Sequence, residues 1–439
     1  MSGRVVIRDA RLWPAPPEVS AEANVVVEGE RIALVTSAPI AGKPGDWEIH
    51  ADGRLLLPGF VDAHTHLSRR LAQGLSGSRA YPRGYPQLDE PLRGRYERTL
   101  QPEDLRAAAR LALAEAALSG TTTVFDLLRA PGCAPGSLDA VGEAAREIGL
   151  RAVVAYGASE RDGAAAVGLQ ECERFAREAG SGRFGPFVRG AVGLCHVETI
   201  GVAALGGVAE LAHTNGLIVH GAESEQELAD AFDAHGMRIL ERLREVGLLG
   251  PKSLLAHGNQ LNRREAEILA ELSGFLSLTP RAALFSEERP PRLEAAIEAG
   301  TYAVLGTDGL SASVRGEAPW ALALWRRGAR PGAQLGFFAI ERMVLEGGGR
   351  LAGRIFDAEF GRLEEGRIAD LVLLDERPAT PLRADSACGH LLTAAADARV
   401  AWTLVAGRPI VREGVLLTAD LAELAARAAQ RSDALWRRI

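Results

Sequence analysis

The sequence predicts a (β/α)8 TIM barrel carrying a small β-sandwich domain assembled from both chain ends. Three observations predict it. Strand-like and helix-like stretches alternate from Leu55 to Asp308 and give eight strands, the order of a closed parallel barrel. The two ends of the chain instead read as short β-rich runs. Histidines and an aspartate fall where barrel strands would end, which is where such barrels gather their chemistry. The division that follows is 1–56 as the N-terminal part of the sandwich, 57–355 as the barrel, and 356–439 as the C-terminal part with a closing helix.

With 439 residues, 47% hydrophobic and 24% charged, the chain has ordinary globular usage and length for more than one domain. A net charge of −7 argues against a nucleic-acid footprint. No apolar run is long enough to span a bilayer, and the N-terminus lacks the order of a signal peptide, so no membrane partner is expected. Cys133, Cys172, Cys195 and Cys388 show no Cys-x-x-Cys spacing and read as reduced thiols of a cytoplasmic protein.

The N-terminal stretch supplies Val5-Val6-Ile7, Asn24-Val25-Val26-Val27 and Arg31-Ile32-Ala33-Leu34-Val35, the last two joined across a hairpin-type break at Glu28-Gly29-Glu30. The run from Leu55 through Pro58-Gly59 to His66 then reads as one buried strand, the first of the barrel. Residues i and i+2 of a strand point to one side, so His64 and His66 can turn two imidazoles toward one metal ion. From Leu67 to Leu100 the chain is irregular and rich in glycine and proline. A loop of that length is a binding loop or lid, or more plainly a surface meander. On the first reading Tyr81 and Tyr85 are candidate substrate contacts.

Pro102 opens an alanine-rich helix that Gly120 closes. Strands two to eight are expected at 121–126, 150–156, 188–195, 217–220, 253–257, 274–279 and 302–308, with helical patterns such as 263–273 and 292–300 between them. Beyond Phe356 the pattern returns to β at 369–374, 400–405 and 408–411. The chain closes on an amphipathic helix from Thr418, its expected N-cap, to Trp436.

Four strand-end side chains form a ligand set: His64 and His66 from strand one, His220 from strand five and Asp308 from strand eight. Three imidazoles and one carboxylate suit a single Zn²⁺, or Fe²⁺, with one coordination position left for water. Singly each has a plainer reading, His220 for instance as a hydrogen-bonded core histidine. Glu223, three residues past His220, and His257, ending strand six, read as catalytic rather than ligating, although a carboxylate at a helix start is also favoured by the helix dipole. His196 and Glu198, after strand four, are candidate substrate contacts. His50, His213, His235 and His390 read as structural or solvated. The only lysines are Lys43 and Lys252, and neither falls at the C-terminal end of a middle strand. A carbamate-bridged metal pair is thereby excluded, and one divalent ion is expected.

At these residues the chain resembles the amidohydrolase superfamily, in particular its branch of cytosine, guanine and S-adenosylhomocysteine deaminases and triazine chlorohydrolases. The matching pieces are Pro58-Gly59-Phe60-Val61-Asp62-Ala63-His64-Thr65-His66, Ser119-Gly120-Thr121-Thr122-Thr123, His220-Gly221-Ala222-Glu223, Ala256-His257-Gly258, Leu305-Gly306-Thr307-Asp308-Gly309 and the tail stretch from Gly361 to Val372. Spacing, with Gly136-Ser137-Leu138 after strand two, is most similar to SsnA-type aminohydrolases. The resemblance implies His64, His66, His220 and Asp308 as metal ligands. It implies Glu223 as proton shuttle, with Asp308 as a further proton acceptor, and His257 as hydrogen-bond partner of the attacking water or the substrate. A small-molecule substrate and a homodimer or larger homo-oligomer are implied as well. The chain departs from the family pattern at Asp126-Leu127-Leu128, at Leu194-Cys195-His196-Val197-Glu198 and at Thr279-Pro280-Arg281-Ala282-Ala283, all at strand ends that would ring a substrate.

The expected activity is a metal-dependent deamination in which water attacks a ring carbon and an exocyclic amine leaves a purine, pterin or triazine as ammonia. The alternative on the same residues is dechlorination of a ring or cleavage of an amide or imide. A non-catalytic protein retaining the fold is disfavoured by the intact Glu223. The other zinc-deaminase architecture needs His-x-Glu with Pro-Cys-x-x-Cys, a motif absent from this chain.

Overall fold

Runs such as Leu217–Gly221 and Ser253–His257 are buried along their whole length, the condition of a parallel sheet covered by helices. The computed structural model describes residues 3–13, 22–75, 90–163, 165–285, 293–328, 337–383 and 386–439. In it the barrel strands are Phe60–Thr65, Thr121–Leu128, Arg151–Ala158, Val188–Gly190 continued as Val192–Leu194, Leu217–Gly221, Ser253–His257, Phe275–Leu278 and Tyr302–Leu305. They are called strands one to eight below, are parallel, and pair in chain order. Val61, Phe125, Val153, Ile218, Leu254 and Val304 fill the interior.

The barrel is near-closed. Among the described residues no ladder joins strands eight and one; single contacts do. Asp308 N–H donates to the His64 carbonyl (2.9 Å). The Asp62 carboxylate accepts from Thr307 N–H (3.0 Å) and from the Thr307 hydroxyl (2.7 Å). The seam thus runs through the residues of most chemical interest.

Both chain ends build the second sheet, in the order Val415–Leu416, Arg408–Arg412, Val400–Val405, Leu371–Leu374, Leu55–Pro58, Val5–Leu12, Glu22–Glu28, Arg31–Thr36, with Trp47–His50 also paired to Val5–Leu12. This corrects the reading of Leu55 to His66 as one strand. Leu55–Pro58 pairs antiparallel with Leu371–Leu374 in this sheet, and the barrel begins only at Phe60. Gly59 makes the change of sheet, and a Cβ there would lie 2.3 Å from a Thr122 side-chain carbon. A buried ion pair, Arg151 Nε to Asp370 Oδ2 at 2.9 Å, fastens the start of strand three to the same sheet.

The closing helix runs Leu421–Trp436, and its cap is Asp420 rather than Thr418. Asp420 Oδ1 accepts from the N–H groups of Ala422 (2.8 Å) and Glu423 (3.1 Å), while the Thr418 hydroxyl donates to the Ile148 carbonyl (3.0 Å). The Leu67 to Leu100 stretch is less irregular than expected, with a helical turn at Leu67–Ala72 and a helix at Glu90–Thr99. Among the described residues no helix is long and apolar enough to cross a membrane.

Candidate metal centre

Strand one does not pair evenly with strand two: the register shifts between Phe60 and Val61 and again between Asp62 and Thr65. Irregularities of this kind re-aim side chains beside active sites. His64 and His66 follow, with ring centroids 4.8 Å apart. From strand five His220 brings its Nε2 to 3.0 Å from His64 Nε2. From the end of strand eight Asp308 sets Oδ1 3.2 Å from His66 Nε2 and 3.5 Å from His64 Nε2. One atom each of His64, His66 and His220 lies within 4.8 Å of the others, as do those of His64, His257 and Asp308, and those of His220, Glu223 and His257.

This arrangement fits a metal ion. His66 Nε2, His257 Nε2 and Asp308 Oδ1 are buried without a hydrogen-bond partner among the described residues. Such atoms cost about 1–3 kcal/mol each unless something binds them. His66 Nδ1 lies 2.6 Å from the Leu127 carbonyl, so Nδ1 carries the proton that is donated there and Nε2 keeps its lone pair for the centre. Burial pushes His64, His66 and His220 below their ordinary values, His66 and His220 far below, so the rings are neutral and able to ligate. Burial alone would raise the Asp308 carboxyl, but the Arg69 cation beside it holds it well below the usual range. Three neutral nitrogens and one carboxylate oxygen are a donor set for Zn²⁺ or Fe²⁺.

Two of the candidate site residues sit on strained backbone. His257 (φ +72°) and Asp308 (φ +54°) are both left-handed, at a cost on the order of 1 kcal/mol or more for a side chain with a Cβ. The ring of His257 is oriented by Thr279, whose Oγ1 lies 2.9 Å from Nδ1. Its Nε2 is 4.0 Å from both Glu223 Oε2 and Asp308 Oδ1. Glu223 keeps 29% of its side chain exposed, so it borders both the centre and solvent. Its N–H donates to Glu227 Oε2 (2.6 Å), and its carbonyl accepts from Asn259 Nδ2 (3.1 Å). Desolvation would raise the Glu223 carboxyl, but His257 and Arg93 bring it below the ordinary value.

His196 is left-handed (φ +49°), with Nδ1 3.0 Å from the Ser159 hydroxyl. Burial and the charges of Arg129, Arg161 and Arg93 push it down to about 2. Glu198 Oε1 accepts from Arg161 Nη2 (2.9 Å), and the Glu198 carbonyl accepts from His235 Nε2 (2.7 Å). Neither belongs to the metal-sized groups of ligand atoms. Tyr81 and Tyr85 lie outside the described residues. The sequence did not single out Arg69 or the buried pair Arg129–Glu97 (3.4 Å), and it named Thr279 only within a strand end that would ring a substrate; Arg129 and Cys195 both flank Gly157 of strand three.

Residues 55–410 match the family described as the amidohydrolase family. A 5-methylthioadenosine/S-adenosylhomocysteine deaminase of Halobacterium salinarum is 32% identical over 408 residues, 89% of each chain. Among solved structures, an adenosine deaminase from Xanthomonas campestris with bound zinc superposes with a TM-score of 0.81 at 24% identity, covering 99% of both chains. An atrazine chlorohydrolase from Arthrobacter aurescens TC1 complexed with zinc gives 0.76 at 22% identity, covering 98% of this chain and 100% of the other.

Proposed function

The chain belongs to the amidohydrolase family, and from that premise we propose that it is a metal-dependent deaminase that removes an exocyclic amine from a purine nucleoside. The observation that supports the reading is that His64 lies within ligand distance of His66 and His220 on one side and of His257 and Asp308 on the other, with the partly exposed Glu223 beside His220 and His257. The relative acting on adenosine derivatives supports the substrate class. His64, His66, His220 and Asp308 would hold one divalent ion, Zn²⁺ before Fe²⁺. When bound, such an ion lowers the pKa of water from 15.7 to about 7 and supplies hydroxide at neutral pH.

The remaining work falls to this chain's own side chains. Glu223 accepts the proton that the attacking water gives up and delivers it to the ring nitrogen next to the attacked carbon. His257, its ring fixed by Thr279, donates from Nε2 to the oxygen of the tetrahedral centre. Glu223 then takes the proton of the hydroxyl on the tetrahedral carbon and carries it to the amine, which departs as ammonia while the carbonyl forms. His196 and Glu198 are assigned to the substrate side of the site.

The test is product identity. Protein loaded with Zn²⁺ is incubated with adenosine, methylthioadenosine, S-adenosylhomocysteine and atrazine, and ammonia and chloride are both measured. Ammonia from a nucleoside is expected. Chloride from atrazine with no ammonia from any nucleoside would replace deamination by dechlorination.

A further inference from the structure

The two carboxylate oxygens of Asp308 are treated differently. Oδ2 lies 2.8 Å from Arg69 Nη1. Oδ1, also buried, has no hydrogen-bond partner among the described residues and points into the imidazoles at 3.2–4.0 Å. The same Arg69 Nη1 also donates to the Asp308 carbonyl at 3.1 Å, holding the backbone of a residue in the left-handed region. Next to it Gly309 (φ +74°) leaves no slack, since a Cβ there would meet the His66 carbonyl at 2.7 Å and Arg69 Cβ at 3.4 Å.

Arg69 is itself fixed. It sits on the Leu67–Ala72 turn directly after His66, and its N–H donates to the His66 carbonyl (3.0 Å). At the start of the turn Leu67 N–H donates to Asp126 Oδ1 (2.7 Å). At its end the Leu71 carbonyl accepts from Trp436 Nε1 (2.8 Å) and the Ser432 hydroxyl (3.1 Å), both on the closing helix.

We infer that Arg69 is a positioning residue that occupies one oxygen of Asp308 and reserves the other as a one-oxygen metal ligand. The inference rests on the metal reading above. A carboxylate free at both oxygens can chelate an ion and fill the coordination position a catalytic site keeps open for water. A cation that already holds Oδ2 and the carbonyl of the same residue prevents this. Charge alone predicts the opposite sign: a guanidinium next to a dication repels it, so an Arg69 that only balanced Asp308 would weaken metal binding.

The experiment titrates metal-free wild type, Arg69→Lys and Arg69→Met with Co²⁺ against a competing chelator and records the visible spectrum of each loaded form. Arg69→Met frees the Asp308 carboxylate to turn, and the lost orientation is expected to outweigh the gained oxygen and the removed repulsion, weakening Co²⁺ binding about tenfold. Its visible absorption should fall as the coordination number rises, with Arg69→Lys in between. Binding by Arg69→Met as tight as wild type or tighter, with an unchanged spectrum, overturns the inference. Should Arg69→Met fail to fold by circular dichroism, Arg69→Lys decides: weaker binding with reduced absorption is expected, and wild-type behaviour overturns it. Failure of wild type to take up one equivalent of Co²⁺ would sink the metal reading instead.

Discussion

Thr279 Oγ1 lies 2.9 Å from His257 Nδ1, and this contact between the ends of strands six and seven sets which way the imidazole faces. His257 is left-handed and its Nε2 has no hydrogen-bond partner among the described residues, so Thr279 is the group that orients the ring toward Glu223 and Asp308. Thr279→Val keeps the shape and removes the hydroxyl. A fall in kcat of roughly 10- to 100-fold is expected, with one bound metal ion retained. Steady-state kinetics with metal analysis checks this, and an unchanged kcat would mean that the ring needs no such support.

Glu223→Gln separates the proton shuttle from the ligand set. No ligand of the proposed ion is altered, so metal content should stay at one equivalent. Turnover should fall by about 10²- to 10⁴-fold, the usual contribution of a positioned acid–base group. Loss of the metal together with turnover would make Glu223 a ligand instead of a shuttle.

The parts of this site that were legible in the sequence are those whose geometry is local. His64 and His66 lie two apart where a strand ends, and His220, His257 and Asp308 each close an apolar run whose end could be read directly. The supporting groups have no such signal. Arg69 and Asp308 are 239 positions apart, and nothing near Arg69 distinguishes it from Arg70, which instead pairs with Glu115. Thr279 meets His257 only because strands six and seven are neighbours. The change of sheet at Gly59 was hidden for a related reason: Leu55–Pro58 and Phe60–Thr65 are both fully buried, so one apolar run covers two strands of different sheets. Thr418 lost the cap to Asp420 because both are good capping residues two positions apart, and the Ile148 carbonyl took the Thr418 hydroxyl.

Glu227 gives a pH dependence with a defined sign. Burial and the nearby Glu223 charge raise its carboxyl from 4.5 to about 8. Between those values the folded chain holds a proton that the unfolded chain releases. The stability this group contributes is therefore complete below about pH 4.5 and is lost as pH rises through about 8. Glu227→Gln keeps an acceptor for the N–H groups of Glu223 and Ser224 without the titration. Urea unfolding of the metal-free protein from pH 5 to pH 9 should show the wild type losing stability relative to the variant as pH rises. Parallel curves would show that Glu227 is ionised throughout.

Asp104 is where the closing helix grips the barrel. It is fully buried, and its carboxylate accepts from Arg431 Nη2 (2.6 Å), from Arg438 and from the Gln101 N–H (3.0 Å). The same helix sends Trp436 and Ser432 to the Leu71 carbonyl, on the turn that carries Arg69. Asp104→Ala leaves two guanidiniums facing a buried gap, and loss of one partner from a buried ion pair costs about 3 kcal/mol. Arg431→Ala and Arg438→Ala should each cost less, about 1 kcal/mol, because the other arginine still serves Asp104 and both are partly solvated (18% and 29% exposed). Urea unfolding of the metal-free variants measures the order. Equal losses for all three would mean that the carboxylate is dispensable and that apolar packing of the helix carries the contact.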